Sequence, residues 1–172
     1  MNPIPKDTTL KLSEAIRLGS MLSPQGYGWL YPTPKEENLA CALGAAYEAI
    51  GLKERIISEG KLDLKWLPSR WVSFLYLTSI PDCPAAEHGT TCADKYIRFN
   101  RSSIRMADAI AHLNDDHCWT REQIADWVAT QEVVWDVKQK EKQELQERQK
   151  QAAVHVPCTE PIAEQKNEEA YV

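Results

Sequence analysis

The chain has 172 residues, 43% of them hydrophobic and 26% charged, with a formal net charge of −5 and a pI near 5.4. Length and apolar content suit one domain of ordinary size with a tail, while the acidic balance argues against broad, sequence-independent nucleic-acid binding. No apolar run reaches the roughly 18 to 20 residues of a membrane helix. The opening Met1-Asn2-Pro3-Ile4-Pro5-Lys6 lacks the apolar core of a secretory signal, and five irregularly spaced cysteines do not suggest a disulfide framework, so the expected setting is cytoplasmic with reduced thiols.

Residues 1–10 read as a flexible arm. Ser13 is a candidate N-cap for a helix through about Leu22, with Leu12, Ile16, Gly19 and Leu22 near one face. Ser23-Pro24-Gln25-Gly26-Tyr27-Gly28 stops that helix, and Trp29, Leu30 and Tyr31 are expected to be pinned to the core. Leu39, Leu43, Ala46 and Ile50 form the stripe of a second helix, which Gly51 ends as a C′ glycine. Its flank of Ala42, Gly44, Ala45 and Ala49 suits the close approach of another backbone.

Lys53 to Glu59 reads as a helix that Gly60 ends. Leu62 to Leu67 alternates, which allows a short strand. Ser69 after Pro68 nevertheless starts a helix carrying Trp71, Phe74, Leu75 and Leu77, and the helical reading is preferred. The stretch from Ile80 to Asn100 is irregular, with room for a brief strand at Tyr96-Ile97-Arg98-Phe99. Ser102 or Ser103 then caps a helix to about Leu113, apolar nearly all round except for a polar stripe of Arg105, Asp108 and His112.

Thr120-Arg121-Glu122-Gln123 is a capping box, with Trp119 and Ile124 as its hydrophobic staple. Ile124, Trp127, Val128 and Trp135 make the buried face that follows. Beyond Val137 the chain is rich in Lys, Gln and Glu, with Leu145 nearly alone, so a helix can extend into solvent without a coiled-coil repeat. Past Pro157 the composition is that of a disordered tail. The expected fold class is mainly α. It comprises a flexible arm (1–10), a compact multi-helix domain with short irregular or β segments (11–137), and a charged, solvent-exposed helical extension with its tail (138–172).

The residues with most chemistry are cysteines and histidines. Cys83, Cys92, His112 and His117 give Cys-x8-Cys-x19-His-x4-His. Two thiolates and two imidazoles are a standard tetrahedral zinc set, and the histidine interval lies in the usual range. Residues five apart on an ideal helix point about 140° apart. The histidines therefore converge only if the helix ends between them, and Asn114-Asp115-Asp116 is where it would. Asp108, one turn before His112, is the expected carboxylate behind its imidazole. In the competing structural reading these are loop thiols, a solvated His112 and a corner His117.

Three other constellations are weaker. Cys41 lies near a helix start, where the dipole lowers a thiol pKa. A cysteine-dependent hydrolase or transferase using Cys41 with His112 or His117 is thus the rival class, against a plain buried thiol. Lys95, Arg98, Arg101 and Arg105 cluster ahead of a helix start resembling a helix-turn-helix, but no basic recognition helix follows. Arg98, Arg101 and Arg105 are kept as a binding patch for a nucleic-acid accessory role. Asp108, Asp115, Asp116, Glu122 and Asp126 are explained most simply by helix-end electrostatics.

Three segments carry a resemblance: Leu12–Gly19, Cys41–Ala46 and His112–Val128. On these residues the chain resembles a group of uncharacterised small proteins of bacteria and their phages. Members tend to carry a tight Cys-Pro-x-Cys before the histidine segment. Here Cys83-Pro84 matches its first half and Cys92 arrives late, with His88 as an alternative donor. The resemblance implies a phage or prophage setting and no particular reaction. The resulting expectation is a non-enzymatic interaction protein, held by a structural zinc, that binds a host or phage protein and no membrane.

Overall fold

The structure, a computed structural model, describes residues 9–27, 39–80, 83–85 and 104–154. Its elements in chain order are α1 (Leu12–Ser20), α2 (Ala42–Ala49), α3 (Lys53–Glu59), a 3-10 turn (Leu64–Trp66), α4 (Ser69–Leu77), β1 (Ser79–Ile80), β2 (Ile104–Arg105), α5 (Met106–Asp115) and α6 (Arg121–Val154). The fold is mainly helical, as expected from the apolar periodicities. The chain divides into two compact units, residues 1–135 and 136–172, with the division inside α6. Trp29, Leu30, Tyr31, Tyr96–Phe99, Ser102 and Ser103 lie outside the described residues.

Within the first unit α1 packs on α2, and both α2 and α4 pack on α5. The α1–α2 contact is made where side chains are smallest. A Cβ built on Gly19 would stand 1.9 Å from the Ala45 carbonyl oxygen, so the two backbones touch there with no room for a methyl group. Of the small flank of α2, Ala42, Gly44 and Ala45 are buried and Ala49 is half-buried. Trp71, Phe74 and Leu75 of α4, with Met106, Ile110 and Leu113 of α5 and Ile124 and Val128 of α6, complete one apolar core.

Helix ends follow local chemistry closely. Gly51 (φ 74°) and Gly60 (φ 65°) take the left-handed conformation that ends α2 and α3. At α6, Thr120 N–H donates to Gln123 Oε1 (2.8 Å) and Gln123 N–H to Thr120 Oγ1 (3.2 Å), the reciprocal capping box. The alternating stretch before Pro68 forms the short 3-10 turn rather than a strand.

Two helix starts differ from expectation. Ser13 is not the cap of α1: the helix begins at Leu12, and Ser13 is buried in its first turn. Glu14 at N3 accepts from the Lys11 N–H (3.2 Å), and the donors of Leu12 and Ser13 are met by Glu132 of α6. Its carboxylate accepts from Leu12 N–H (2.8 Å), Ser13 Oγ (2.6 Å) and, at longer range, Ser13 N–H (3.4 Å). A negative charge at three donors of a helix N-terminus is favourable. The α5 helix starts at Met106 rather than at Ser102 or Ser103. Ile104 and Arg105 are used first in the antiparallel pairing Ile80–Ile104 and Ser79–Arg105, and Met106 N–H continues it to the Thr78 carbonyl (3.0 Å). That pairing places Cys83, just beyond β1, beside the far end of α5.

Candidate metal centre

The α5 helix ends at Asp115, between the two histidines. Its end carbonyls are met by the residues of the corner. The His112 carbonyl accepts from both Asp116 N–H (2.9 Å) and His117 N–H (3.3 Å), and the Leu113 carbonyl accepts from Trp119 N–H (2.9 Å). The first of these is the ordinary α-helical bond; the longer-span bonds from His117 and Trp119 satisfy the end carbonyls and turn the chain back over the helix end. Cys118 completes the corner at φ 51°, a left-handed conformation uncommon outside glycine. An ideal helix would hold the histidines apart; this corner folds the second onto the first.

The result is a triangle of donor atoms. His112 Nε2 lies 3.0 Å from His117 Nε2, and Cys83 Sγ lies 3.4 Å from each. The imidazoles are perpendicular, with ring centroids 4.7 Å apart. Among the described residues, Cys83, His112 and His117 form a group close enough to hold a metal ion. A tetrahedral zinc with Zn–N near 2.0–2.1 Å and Zn–S near 2.3 Å separates two nitrogens by about 3.3 Å and a sulfur from a nitrogen by about 3.6 Å. The observed edges are close to those lengths, so the donor set fits such an ion without rearrangement of the backbone.

His112 does not lie on a wet stripe. It is 1% exposed, and Cys83 is buried with it. Its Nδ1 is 2.6 Å from Asp116 Oδ2. This contact puts the ring proton on Nδ1 and turns a bare Nε2 toward the triangle. Asp116 is thus the carboxylate placed behind His112. Asp108, expected there, is bound by Arg105 through Nε (2.8 Å) and Nη2 (3.2 Å). The same ion pair occupies Arg105 of the anticipated basic patch, and it holds the Arg105 guanidinium above its ordinary pKa through hydrogen bonding and charge from Asp108. Cys92, His88, Arg98 and Arg101 lie outside the described residues.

Cys41 is the N-cap of α2, where its Sγ accepts from Gly44 N–H at 3.3 Å. Burial is the dominant influence on this thiol and pushes its pKa up, against the smaller lowering effect of the backbone N–H groups. The expected activation by the helix start is therefore reversed.

The other face of the same corner is a buried polar network that the sequence reading did not single out. Asn114 accepts from Ala42 N–H (3.2 Å), the first residue of α2, and donates to the Gly26 carbonyl (3.0 Å). Gln25 donates to the Trp119 carbonyl (2.7 Å) and accepts from Arg121 N–H (3.1 Å). Arg121, 4% exposed, donates to the carbonyls of Ser23, Pro24 and Ala40. These contacts close the Gln25–Ala40 bridge, where Gly26 N–H meets the Ala40 carbonyl at 2.8 Å. A usable sign was present in Arg121 itself: a cation in the first turn of a helix opposes the helix dipole and implies another task.

No family model matches the chain, and neither does any curated protein or solved structure. No helix among the described residues is long and apolar enough to cross a membrane.

Proposed function

We propose that the protein is a helical interaction module whose α5–α6 corner is stapled by a structural zinc ion bound to Cys83, His112 and His117. The observation that carries this reading is the donor triangle, with edges of 3.0, 3.4 and 3.4 Å. A thiolate with two imidazoles favours zinc over magnesium or calcium, which take oxygen ligands. Burial of Cys83 and His112 supports a structural task, since a reacting group needs an approach path. The sequence offers Cys92 or His88 for the remaining vertex.

The interaction reading draws on α1 and the turn after it. Leu18, Met21, Leu22 and Tyr27 are exposed large apolar side chains within a short span, the kind of surface that marks a protein contact. The resemblance noted above suggests a host or phage protein as the partner. No observation at Cys41 favours the thiol-enzyme alternative.

The test is metal analysis of the full chain purified without a metal-affinity tag. One zinc per chain is expected, reduced to none by Cys83→Ser. Cobalt substitution should give an intense thiolate-to-metal absorption in the wild type that Cys83→Ser abolishes. A wild-type chain that stays metal-free after refolding with zinc would overturn the staple, leaving the triangle as a hydrogen-bonded cluster. For the partner, capture from host lysate should be lost on Met21→Glu with the metal content unchanged.

A further inference from the structure

The second unit offers a feature that the metal reading does not use. Between residues 136 and 152 α6 is exposed along nearly its whole circumference, and two large apolar residues stand in solvent there: Val137, 52% exposed, and Leu145, 56% exposed. At 100° per residue, Val137, Glu141, Leu145, Arg148 and Ala152 fall within an arc of about 80°, a single narrow face of the helix. Among the described residues, neither Glu141 nor Arg148 is recorded in an ion pair within the chain.

The face alternates apolar and charged residues, with opposite charges on the two sides of Leu145. Read forward it is Val, Glu, Leu, Arg, Ala; read backward it is Ala, Arg, Leu, Glu, Val. We propose that this face pairs with the same face of a second copy in antiparallel orientation. Val137 then meets the partner's Ala152, Glu141 meets the partner's Arg148, and Leu145 meets its own mate at the centre. Twofold symmetry makes the Val137–Ala152 and Glu141–Arg148 contacts twice and the Leu145 contact once, on the axis, so both charges of each chain find an opposite charge. A parallel pair would instead set Glu141 on Glu141 and Arg148 on Arg148, a repulsive arrangement. The charges therefore select the orientation, and the apolar residues provide the attraction. The face is short, with three apolar layers, and the association is accordingly weak and concentration-dependent.

Sedimentation equilibrium of the full chain tests this up to about millimolar concentration. The expected result is a monomer at low concentration, passing toward twice the chain's 19.6 kDa. Glu141→Arg and Arg148→Glu, each alone, should weaken the dimer by about tenfold or more, since each places like charges opposite one another. The double variant Glu141→Arg with Arg148→Glu should restore it. Circular dichroism confirms that helix content is the same in all four proteins. A chain that stays monomeric throughout overturns the proposal and leaves α6 solvated or covered by its own tail. So does a dimer indifferent to both single changes, or a double variant no better than either single. Metal content is irrelevant to every one of these outcomes.

Discussion

Asp116 Oδ2 lies 2.6 Å from His112 Nδ1, one helical turn away and on the side of the imidazole opposite the donor triangle. Carboxylates in this position fix the tautomer and raise the basicity of a ligating histidine. Asp116→Asn is expected to lower zinc affinity by about 10- to 100-fold while leaving the fold of the loaded protein intact. Competition with a chromophoric chelator measures the change. Wild-type affinity in this variant would show that the carboxylate only caps the helix end.

Removal of the proposed zinc should loosen the corner. A ligand that binds only the folded state stabilises it by about 2.7 kcal/mol when present at a hundred times its Kd. Melting with and without a strong chelator should therefore show a clear fall in Tm for the wild type. Cys83→Ser should melt at one temperature under both conditions.

Gly19 against Ala45 makes a sharp steric prediction. Gly19→Ala sets a methyl group onto a backbone carbonyl that cannot step aside without moving α2. Overpacking of this kind costs about 1–3 kcal/mol, outweighing the gain in helix propensity. Denaturant unfolding should give a lower midpoint; an unchanged one would mean that α1 and α2 do not approach as described.

Glu132 is expected to behave as a buried cap. Glu132→Ala leaves the Leu12 N–H and the Ser13 hydroxyl without their acceptor inside the protein, a loss of about 1–3 kcal/mol. Glu132→Gln retains one acceptor oxygen and should lose less. Equal losses in the two variants would mean that the full carboxylate, not packing or a single amide acceptor, carries the effect, since Gln keeps the side-chain volume.

Cys41 should be inert to alkylation in the native state at neutral pH, whereas the exposed Cys118 should label readily. The sign of the pH effect follows from burial. The folded thiol ionises later than the unfolded one, so its contribution to stability is complete at neutral pH. It is lost as pH rises above about 8.5, where the unfolded thiol begins to ionise, toward the higher folded value. Rapid native labelling of Cys41 would return the thiol-enzyme reading to contention.

Legibility in the sequence depended on how local the deciding interaction was. The α3 helix, ended by Gly60, and the α6 capping box are decided within a few residues, and their bounds could be read directly. The start of α1 was only partly legible, because beside the local Glu14 its first N–H groups are met by a carboxylate 120 residues away. The solvation of His112 was not legible: periodicity marks Arg105, Asp108 and His112 as one stripe, yet Cys83 arrives from beyond β1 to cover its end. The histidine pair was legible as a pair because His-x4-His demands a helix break. The partner carboxylate was misplaced by one turn in the other direction, since Asp108 already answers to Arg105. Glu132 stands in register with Ile124 and Val128 on the buried face of α6, a charged residue at an apolar period. That periodicity was the available clue to a buried ionic cap.

The corner at the end of α5 has a consequence for how such a sequence can change over time. Point substitutions at Leu113, Asn114 or Asp115 alter packing or polarity but preserve the spacing of the histidines. A single-residue insertion or deletion there would swing His117 by about 100° around the helix axis and take it off the triangle. The interval from His112 to His117 is in effect a fixed gauge, and lineages that keep the proposed metal site should vary in length elsewhere.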